Sequence, residues 1–189
     1  MTTKTKINPA IFKAYDIRGL YPSEINEDIV RQIGRGFAAY LQPTTIGVAR
    51  DMRVSSPSLT KAFIDGAVLQ GGTVLDYGLL GTDQMYYAVA ADKLTGGAQV
   101  TASHNSGEYN GCKMVREEAF PLSGEAGIKE MKEMIFAGAI PNPPATPGTL
   151  KRGEIMERYV EHVLSFVDEQ SIKPFNVVLD AGSGVAGLV

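Results

Sequence analysis

Apolar positions along the chain recur with two different spacings, and their alternation indicates the fold class. Helical spacing predicts helices over residues 26–41, 56–70, 82–91, 124–137 and 154–170. Short apolar runs predict strands over residues 45–49, 73–77, 97–100, 112–115 and 176–179. Helices and strands alternating at this length are typical of a layered α/β/α domain with a mixed, mostly parallel sheet. The sequence therefore predicts an α/β fold.

Polar residues at the starts of the helical segments predict where three of the helices begin. Asn26 precedes the first apolar face and can accept a hydrogen bond from a backbone amide of the first turn. Ser56 followed by Pro57 predicts a second helix start, because proline suits the first helical position. Thr82 is the predicted cap of the third helix.

A proline-rich stretch predicts a boundary between two domains. Residues 140–148 contain four prolines, which lack amide donors and restrict their neighbours, so the stretch is predicted to be a linker. We therefore assign residues 1–150 to a first domain and residues 151–189 to the beginning of a second, similar domain. The strand at 176–179 and the glycine turn at 180–184 would open a new strand–helix unit. On this interpretation the chain is the front part of a longer protein.

Composition narrows the classes of function. The 189 residues carry a formal net charge of −3, which gives no indication of nucleic-acid binding. No apolar run approaches the length needed to cross a bilayer, and the first 13 residues lack the apolar core of a signal peptide. The single cysteine, Cys112, is predicted to be a small buried residue in a protein that needs no disulfide. A cytoplasmic protein with no membrane partner is expected.

The chemistry-bearing residues cluster where the strand at 97–100 gives way to a loop. Ser103 offers a hydroxyl that can accept a phosphoryl group, His104 an imidazole that can carry a proton, and Lys113 a positive charge. Arg18 and Arg53 add cations near the ends of other elements, and guanidinium groups suit phosphate oxygens. Together these residues predict phosphoryl transfer through Ser103.

Four segments in order along the chain carry a family resemblance. They are residues 13–19 (KAYDIRG), 47–57 (GVARDMRVSSP), 101–113 (TASHNSGEYNGCK) and 178–187 (VLDAGSGVAG). In these motifs the chain resembles the α-D-phosphohexomutase family, the phosphomannomutases and phosphoglucomutases. The resemblance covers the family's first domain and the opening of its second. The chain has Ser106 where the family usually has proline, Asp83 where it has proline at a helix start, and Ser183 where it has asparagine.

The resemblance implies a reversible mutase acting on small sugar phosphates, those of mannose or glucose. Ser103 would carry a phosphoryl group, give it to a hexose 1- or 6-phosphate, and recover the other phosphate from the resulting 1,6-bisphosphate. Mg²⁺ would be bound by the phosphate on Ser103 and by aspartates of a loop beyond Val189. Because those ligands are not in this sequence, the chain alone is expected to be inactive.

The resemblance also assigns roles to individual residues. Arg18 would contact the substrate or the transferring phosphoryl group, with Tyr15 nearby in the substrate site. Lys113 and His104 are the candidates for moving protons on and off the sugar hydroxyl. A purely structural role for His104, through hydrogen bonds that shape the loop, is an equal alternative. Ser103 is the only residue of the chain expected to bind metal, through its phosphate.

Several alternatives stay open at the level of the sequence. Asp51 and Arg53 are interpreted as an ion pair that braces the loops rather than as catalytic groups. The same chemistry on glucosamine phosphate, a serine-phosphate hydrolase, and a non-catalytic fragment or interaction module are the competing functions. The oligomeric state is not determined by any motif of the chain.

Overall fold

A computed structural model describes residues 7–42, 45–182 and 184–188. The strands are β1 (Ile17–Leu20), β2 (Thr45–Arg50), β3 (Thr73–Leu79), β4 (Gly96–Val100), β5 (Tyr109–Arg116) and β6 (Leu150–Arg152). The α-helices are α1 (Glu27–Leu41), α2 (Ser56–Leu69), α3 (Thr82–Ala91), α4 (Ile128–Phe136) and α5 (Met156–Leu164). Short 3₁₀ turns cover Pro9–Ile11, Glu117–Ala119, Glu169–Ser171 and Val185–Leu188.

The six strands form one mixed sheet in the order β1-β5-β4-β2-β3-β6. The pairs β4–β2, β2–β3 and β3–β6 are parallel, whereas β5 runs antiparallel to both β1 and β4. This order places the ends of β2 and β4 side by side and sets β1 next to β5. The predicted α/β class with a mixed, mostly parallel sheet is confirmed.

Helices cover both faces of the sheet, which gives three layers. Alternate residues of one strand point to opposite faces, so Val48 belongs to a core shared with α1, α2 and α4, and Ala49 to a core shared with α3. Phe37 of α1 and Phe63 of α2 are fully buried in the first core. Burial of such side chains stabilises the fold by about 1.5–3 kcal/mol each.

Helix α1 begins as its sequence predicts. The Asn26 side chain accepts a hydrogen bond from the Ile29 amide at 3.1 Å, and the acidic Glu27 and Asp28 lie in the first turn. Helix α4 begins four residues later than predicted, because the Ser123 carbonyl accepts hydrogen bonds from the Ala126 and Ile128 amides in a tight turn.

Two of the predicted caps are wrong. Ser56 is the first residue of α2, and its buried hydroxyl donates to Asp51 at 2.5 Å; the capping position is Ser55. Thr82 is the first residue of α3, and Gly81 is the capping residue, whose amide donates to the Gln84 side chain at 2.7 Å.

The segment after α5 departs most from its prediction. The predicted strand at 176–179 is irregular, and Leu179 is 90% exposed, because no described strand lies beside it to pair with its backbone. The predicted helix at 154–170 ends at Leu164, since the side chains of residues 165–170 are exposed and none of them joins the buried core. Ser183 of the predicted turn lies outside the described residues.

Strands β1 and β6 are additions to the predicted elements. β6 pairs in parallel with β3 at the edge of the sheet, and Ile155 is buried in the core beneath α3. Residues 150–156 therefore pack on the first sheet. The division into domains at residue 150 stays a prediction.

Candidate functional site

Ser103 lies in the loop that joins β4 to β5, at the edge of the sheet where β2 also ends. Its φ of +57° is in the left-handed region, which a non-glycine residue rarely adopts and which costs about 1–3 kcal/mol. Its amide donates to the Thr101 hydroxyl at 2.9 Å, and its side chain is exposed. The loop thus presents the Ser103 hydroxyl to solvent from a constrained backbone.

The guanidinium of Arg53 holds this loop through its backbone. Its Nη2 donates to the carbonyl oxygens of Ser103 at 2.9 Å and Asn105 at 2.7 Å. Its Nη1 donates to the carbonyl oxygens of Ser106 at 2.6 Å and Tyr109 at 3.0 Å. One planar cation therefore binds four carbonyl groups of the loop, which explains how the strained backbone at Ser103 is maintained.

Asp51 anchors Arg53 and the start of the loop together. Its carboxylate accepts from the Arg53 Nε at 3.0 Å, from the Thr101 hydroxyl at 2.7 Å and from the Ser56 hydroxyl at 2.5 Å. The Asn110 side chain donates to the Ser56 hydroxyl at 3.0 Å. The predicted ion pair between Asp51 and Arg53 is present, and it is nearly buried.

A second polar cluster lies on the β1 side of the loop. The Arg18 guanidinium donates through Nη1 to the Asn105 side chain and through Nη2 to the Asp16 carboxylate. Its Nε is buried and has no hydrogen-bond partner among the described residues. The Lys113 ammonium lies 3.9 Å from the same Asp16 oxygen. Arg18 and Lys113 are thus brought together beside the Ser103 loop.

An open cavity of about 650 Å³ lies next to this cluster. Arg18 and Asn105 line it, and Tyr15 stands at its rim with 73% of its surface exposed. A cavity of this size can hold a small polar ligand. Of the predicted site residues, Ser103, Arg18, Lys113 and Tyr15 all belong to this edge of the sheet.

His104 is exposed, and its imidazole makes no hydrogen bond with any residue that the structure describes. The loop-shaping alternative for His104 therefore has no contact to support it. Cys112 is fully buried beside Lys113, and burial raises the pKa of its thiol to about 12, so it has the character of an apolar residue.

Sequence reasoning did not single out Asp16 or Asn105. Asp16 is only two positions before Arg18, within reach of its long side chain, and that spacing was an available signal. The contact between Asn105 and Arg18 spans 87 positions of the chain and had no local signal.

The residues that the structure describes contain no group of three or more His, Cys, Asp or Glu side chains arranged to hold a metal ion. No described helix has both the length and the apolar character that crossing a membrane requires.

Comparisons with known proteins agree on one family. The model of the phosphoglucomutase/phosphomannomutase alpha/beta/alpha domain I matches residues 9–139. The chain is 42% identical over 180 residues to a phosphomannomutase of Escherichia coli, covering 94% of this chain and 40% of that protein. It is 41% identical over 178 residues to a protein of Xanthomonas campestris pv. campestris named phosphohexose mutases, covering 94% of this chain and 40% of that protein.

A solved structure gives the same picture. A phosphoglucomutase/phosphomannomutase family protein from Burkholderia thailandensis aligns with a TM-score of 0.77 at 29% sequence identity, over 86% of this chain and 37% of that chain. The chain thus spans about 40% of the length of the curated relatives that it matches.

Proposed function

The chain belongs to the phosphoglucomutase/phosphomannomutase family, and from this premise we propose that it carries the phosphoryl-bearing part of a phosphohexomutase site. The observation that supports this most directly is the Ser103 loop. Its hydroxyl is exposed, its backbone is held at four carbonyls by Arg53, and two cations lie beside it. Phosphoryl transfer needs positioning and charge stabilisation more than covalent assistance from the protein.

In the proposed reaction the Ser103 oxygen carries the phosphoryl group. The hydroxyl of a hexose 1- or 6-phosphate attacks the phosphorus, the bond to the Ser103 oxygen breaks, and a hexose 1,6-bisphosphate forms. Transfer of the other phosphate back to Ser103 releases the isomeric monophosphate. Lys113 and His104 take the proton from the attacking hydroxyl and return it in the reverse step. Arg18 stabilises the charge on the transferring group, and Tyr15 contacts the substrate at the rim of the cavity.

Mg²⁺, when bound, would neutralise charge on the transferring phosphoryl group. An exposed Ser103 phosphate can offer it an oxygen, whereas the described residues contain no cluster of three or more His, Cys, Asp or Glu side chains that could hold the ion. We therefore propose that the remaining ligands come from residues outside this sequence, as the 40% coverage of its relatives suggests. The proposed substrates are mannose and glucose phosphates, and the proposed location is the cytoplasm.

Mass spectrometry of Ser103 tests the phosphoryl carrier. Full-length protein treated with hexose 1,6-bisphosphate and Mg²⁺ is expected to gain one phosphoryl group on the peptide that contains Ser103. Ser103→Ala should remove both this modification and the turnover of mannose 1-phosphate, and Lys113→Ala should slow turnover by about 10²-fold or more. Ser103→Ala with wild-type turnover would overturn the assignment.

Parallel assays separate the competing functions. Mannose, glucose and glucosamine phosphates are each incubated with the full-length protein, and both isomerisation and free phosphate are followed. Preference for glucosamine phosphate would correct the substrate class. Release of phosphate without isomerisation would replace the mutase with a hydrolase, and no reaction with any of the sugars would refute the proposal.

A further inference from the structure

We propose that Asp16 is a positioning residue that holds both Arg18 and Lys113 in place for phosphoryl transfer, an inference that rests on the proposed function. One oxygen of its carboxylate faces both cations. It accepts a hydrogen bond from Arg18 Nη2 and lies 3.9 Å from Lys113 Nζ. Neither cation pairs with another carboxylate among the residues that the structure describes.

The pairing follows from the register of the sheet. β1 and β5 are antiparallel with Ile17 opposite Cys112, which brings Asp16, just before β1, close to Lys113, just after Cys112. Asp16 directly precedes β1, and the Arg18 guanidinium reaches back two positions to its carboxylate. The Asp16 backbone is fixed as well, because its carbonyl accepts a hydrogen bond from the Lys13 amide at 2.8 Å.

Burial makes this carboxylate more than a surface ion pair. Asp16 is only 7% exposed, and its charge reaches neighbouring groups on other elements. The pKa of Tyr86 on α3 is raised mainly by burial and secondly by the negative charge of Asp16. The same two causes, in the same order, raise the pKa of the Cys112 thiol. Charges in such surroundings interact more strongly than in water.

The single carboxylate of Asp16 therefore determines where the cations of Arg18 and Lys113 lie in the site. Arg18 is also bonded to the Asn105 side chain in the Ser103 loop, so Asp16 fixes the separation between the loop and Lys113. Without the carboxylate, two positive groups would face each other and Lys113 would lose its only charged partner among the described residues. Lys113 would then be free to move away from Ser103, and Arg18 would keep only its hydrogen bond to Asn105.

Chemical labelling of Lys113 tests, without any activity assay, whether Asp16 keeps the Lys113 side chain in place. The purified chain is treated with a trace of an acylating reagent, and acylation of Lys113 relative to the exposed Lys129 is measured by peptide mass spectrometry. Acylation reports how readily an amine meets the reagent, and the Lys113 side chain is only 26% exposed where it lies beside Asp16. We expect Asp16→Asn to raise the Lys113 to Lys129 ratio several-fold, because the amine is no longer held there, and Asp16→Glu, which keeps the charge, to restore most of the protection.

Cys112 separates positioning from mere loosening of the fold. It is the only cysteine, is fully buried and lies next to Lys113 in the sequence. If Asp16 holds Lys113 in place, Asp16→Asn exposes the amine while a thiol reagent still fails to reach Cys112. An unchanged Lys113 ratio, or labelling of Lys113 and Cys112 that rises in parallel, would overturn the proposal. Should Asp16→Asn not fold, strong labelling of Lys113 in a folded Asp16→Glu variant would overturn it equally.

Kinetics of the full-length protein give the second readout, with Asp92→Asn as the matched control. Asp92 is also an ion-paired aspartate, bonded to Arg158 and Tyr77 at the far end of α3. Because Asp16 acts through two cations and does not touch the sugar, Asp16→Asn should lower kcat by about tenfold or more with KM little changed. Asp92→Asn should keep both constants.

Unchanged kcat in Asp16→Asn would overturn the positioning role. A wild-type protein without turnover would overturn the proposed function, and the labelling result would then decide whether Asp16 holds Lys113 in place.

Discussion

Replacement of Arg53 by methionine removes the cation that binds the Ser103 loop while keeping an apolar stem of similar length. The guanidinium makes hydrogen bonds with four loop carbonyls and an ion pair with Asp51. The Arg53 and Asp51 side chains are only 8% and 11% exposed. Arg53→Met therefore leaves a nearly buried carboxylate without its cation and a strained loop without its brace.

The expected cost follows from this geometry. Breaking a buried ion pair by removing one partner costs about 3–5 kcal/mol. Here the lower end applies, because Asp51 keeps the hydrogen bonds from the Thr101 and Ser56 hydroxyls and the exposed carbonyls of Ser103 and Ser106 can bind water instead. We expect a loss of about 3 kcal/mol in the free energy of unfolding, which corresponds to a fall in Tm of about 6–12 °C for a domain of this size.

Urea and thermal unfolding followed by circular dichroism measure this loss. Arg152→Met is the matched control, since Arg152 pairs with Glu154 at 3.3 Å but both side chains are about four-fifths exposed, at 85% and 79%. The control should lie within about 0.5 kcal/mol of wild type. The double variant Asp51→Asn/Arg53→Met should lose less free energy of unfolding than the sum of the two single variants, because it leaves no buried charge without a partner. A loss below about 1 kcal/mol for Arg53→Met would refute the bracing role.

Three further outcomes are expected. Gly34→Ala should lower the free energy of unfolding by about 1–3 kcal/mol, since the added Cβ would lie 2.2 Å from the Phe63 carbonyl oxygen where α1 packs on α2; urea unfolding near the wild-type midpoint would contradict this. Ser106→Pro should add about 0.4–1 kcal/mol in the same assay, because the Ser106 amide donates no hydrogen bond to a described residue; destabilisation would show a backbone unsuited to proline. The hydrogen bond to Asp83 raises the pKa of Tyr159 to about 12. The stability that this hydrogen bond contributes is complete below the ordinary tyrosine pKa of about 10 and should be lost between about pH 10 and pH 12. In alkaline unfolding, Tyr159→Phe should therefore lack that loss of stability.

The parts of the fold that depend on local signals were predicted from the sequence. The start of α1 is one example, because the Asn26 cap and the acidic first turn act within four residues. Ser56 shows the limit of such signals. Its pattern of serine then proline marks a helix start, but the Ser56 hydroxyl donates to Asp51, and the capping position falls at Ser55, whose side chain makes no capping hydrogen bond. A local rule fails there because a tertiary contact competes for the same group.

Strands depend on partners that a local pattern does not contain. β1 has only four residues, and its pairing partner β5 begins about ninety positions later, so no periodicity in residues 17–20 predicts it. The opposite error occurs at 176–179, where an apolar run predicts a strand and the described residues offer none to pair with. An apolar run shows that a segment can be buried, whereas a strand also requires a neighbour for its backbone groups.

For the candidate site, the sequence indicates which residue types lie at the ends of strands but not how they support one another. Ser103 and Lys113 could be singled out by their motif and by their place in and after a loop. Arg53 bonds to four carbonyls, and Asp16 contacts two cations. Both sets of contacts depend on the strand order β1-β5-β4-β2, which no single segment encodes. Supporting contacts of this kind are set by topology and become visible only in three dimensions.

Because of this topology, different side chains bind the Ser103 loop from its two sides. From the β2 side Arg53 binds the loop carbonyls, and from the β1 side Arg18 binds the Asn105 side chain. Between them the Ser103 hydroxyl stays exposed on a backbone that is already in its left-handed conformation. Because the cost of ordering this loop is met on folding, no further ordering is required when a reacting group arrives, and such preorganisation is a large part of the rate advantage of a fixed geometry. In the proposed reaction, a freely moving serine would have to meet that entropic cost at every transfer.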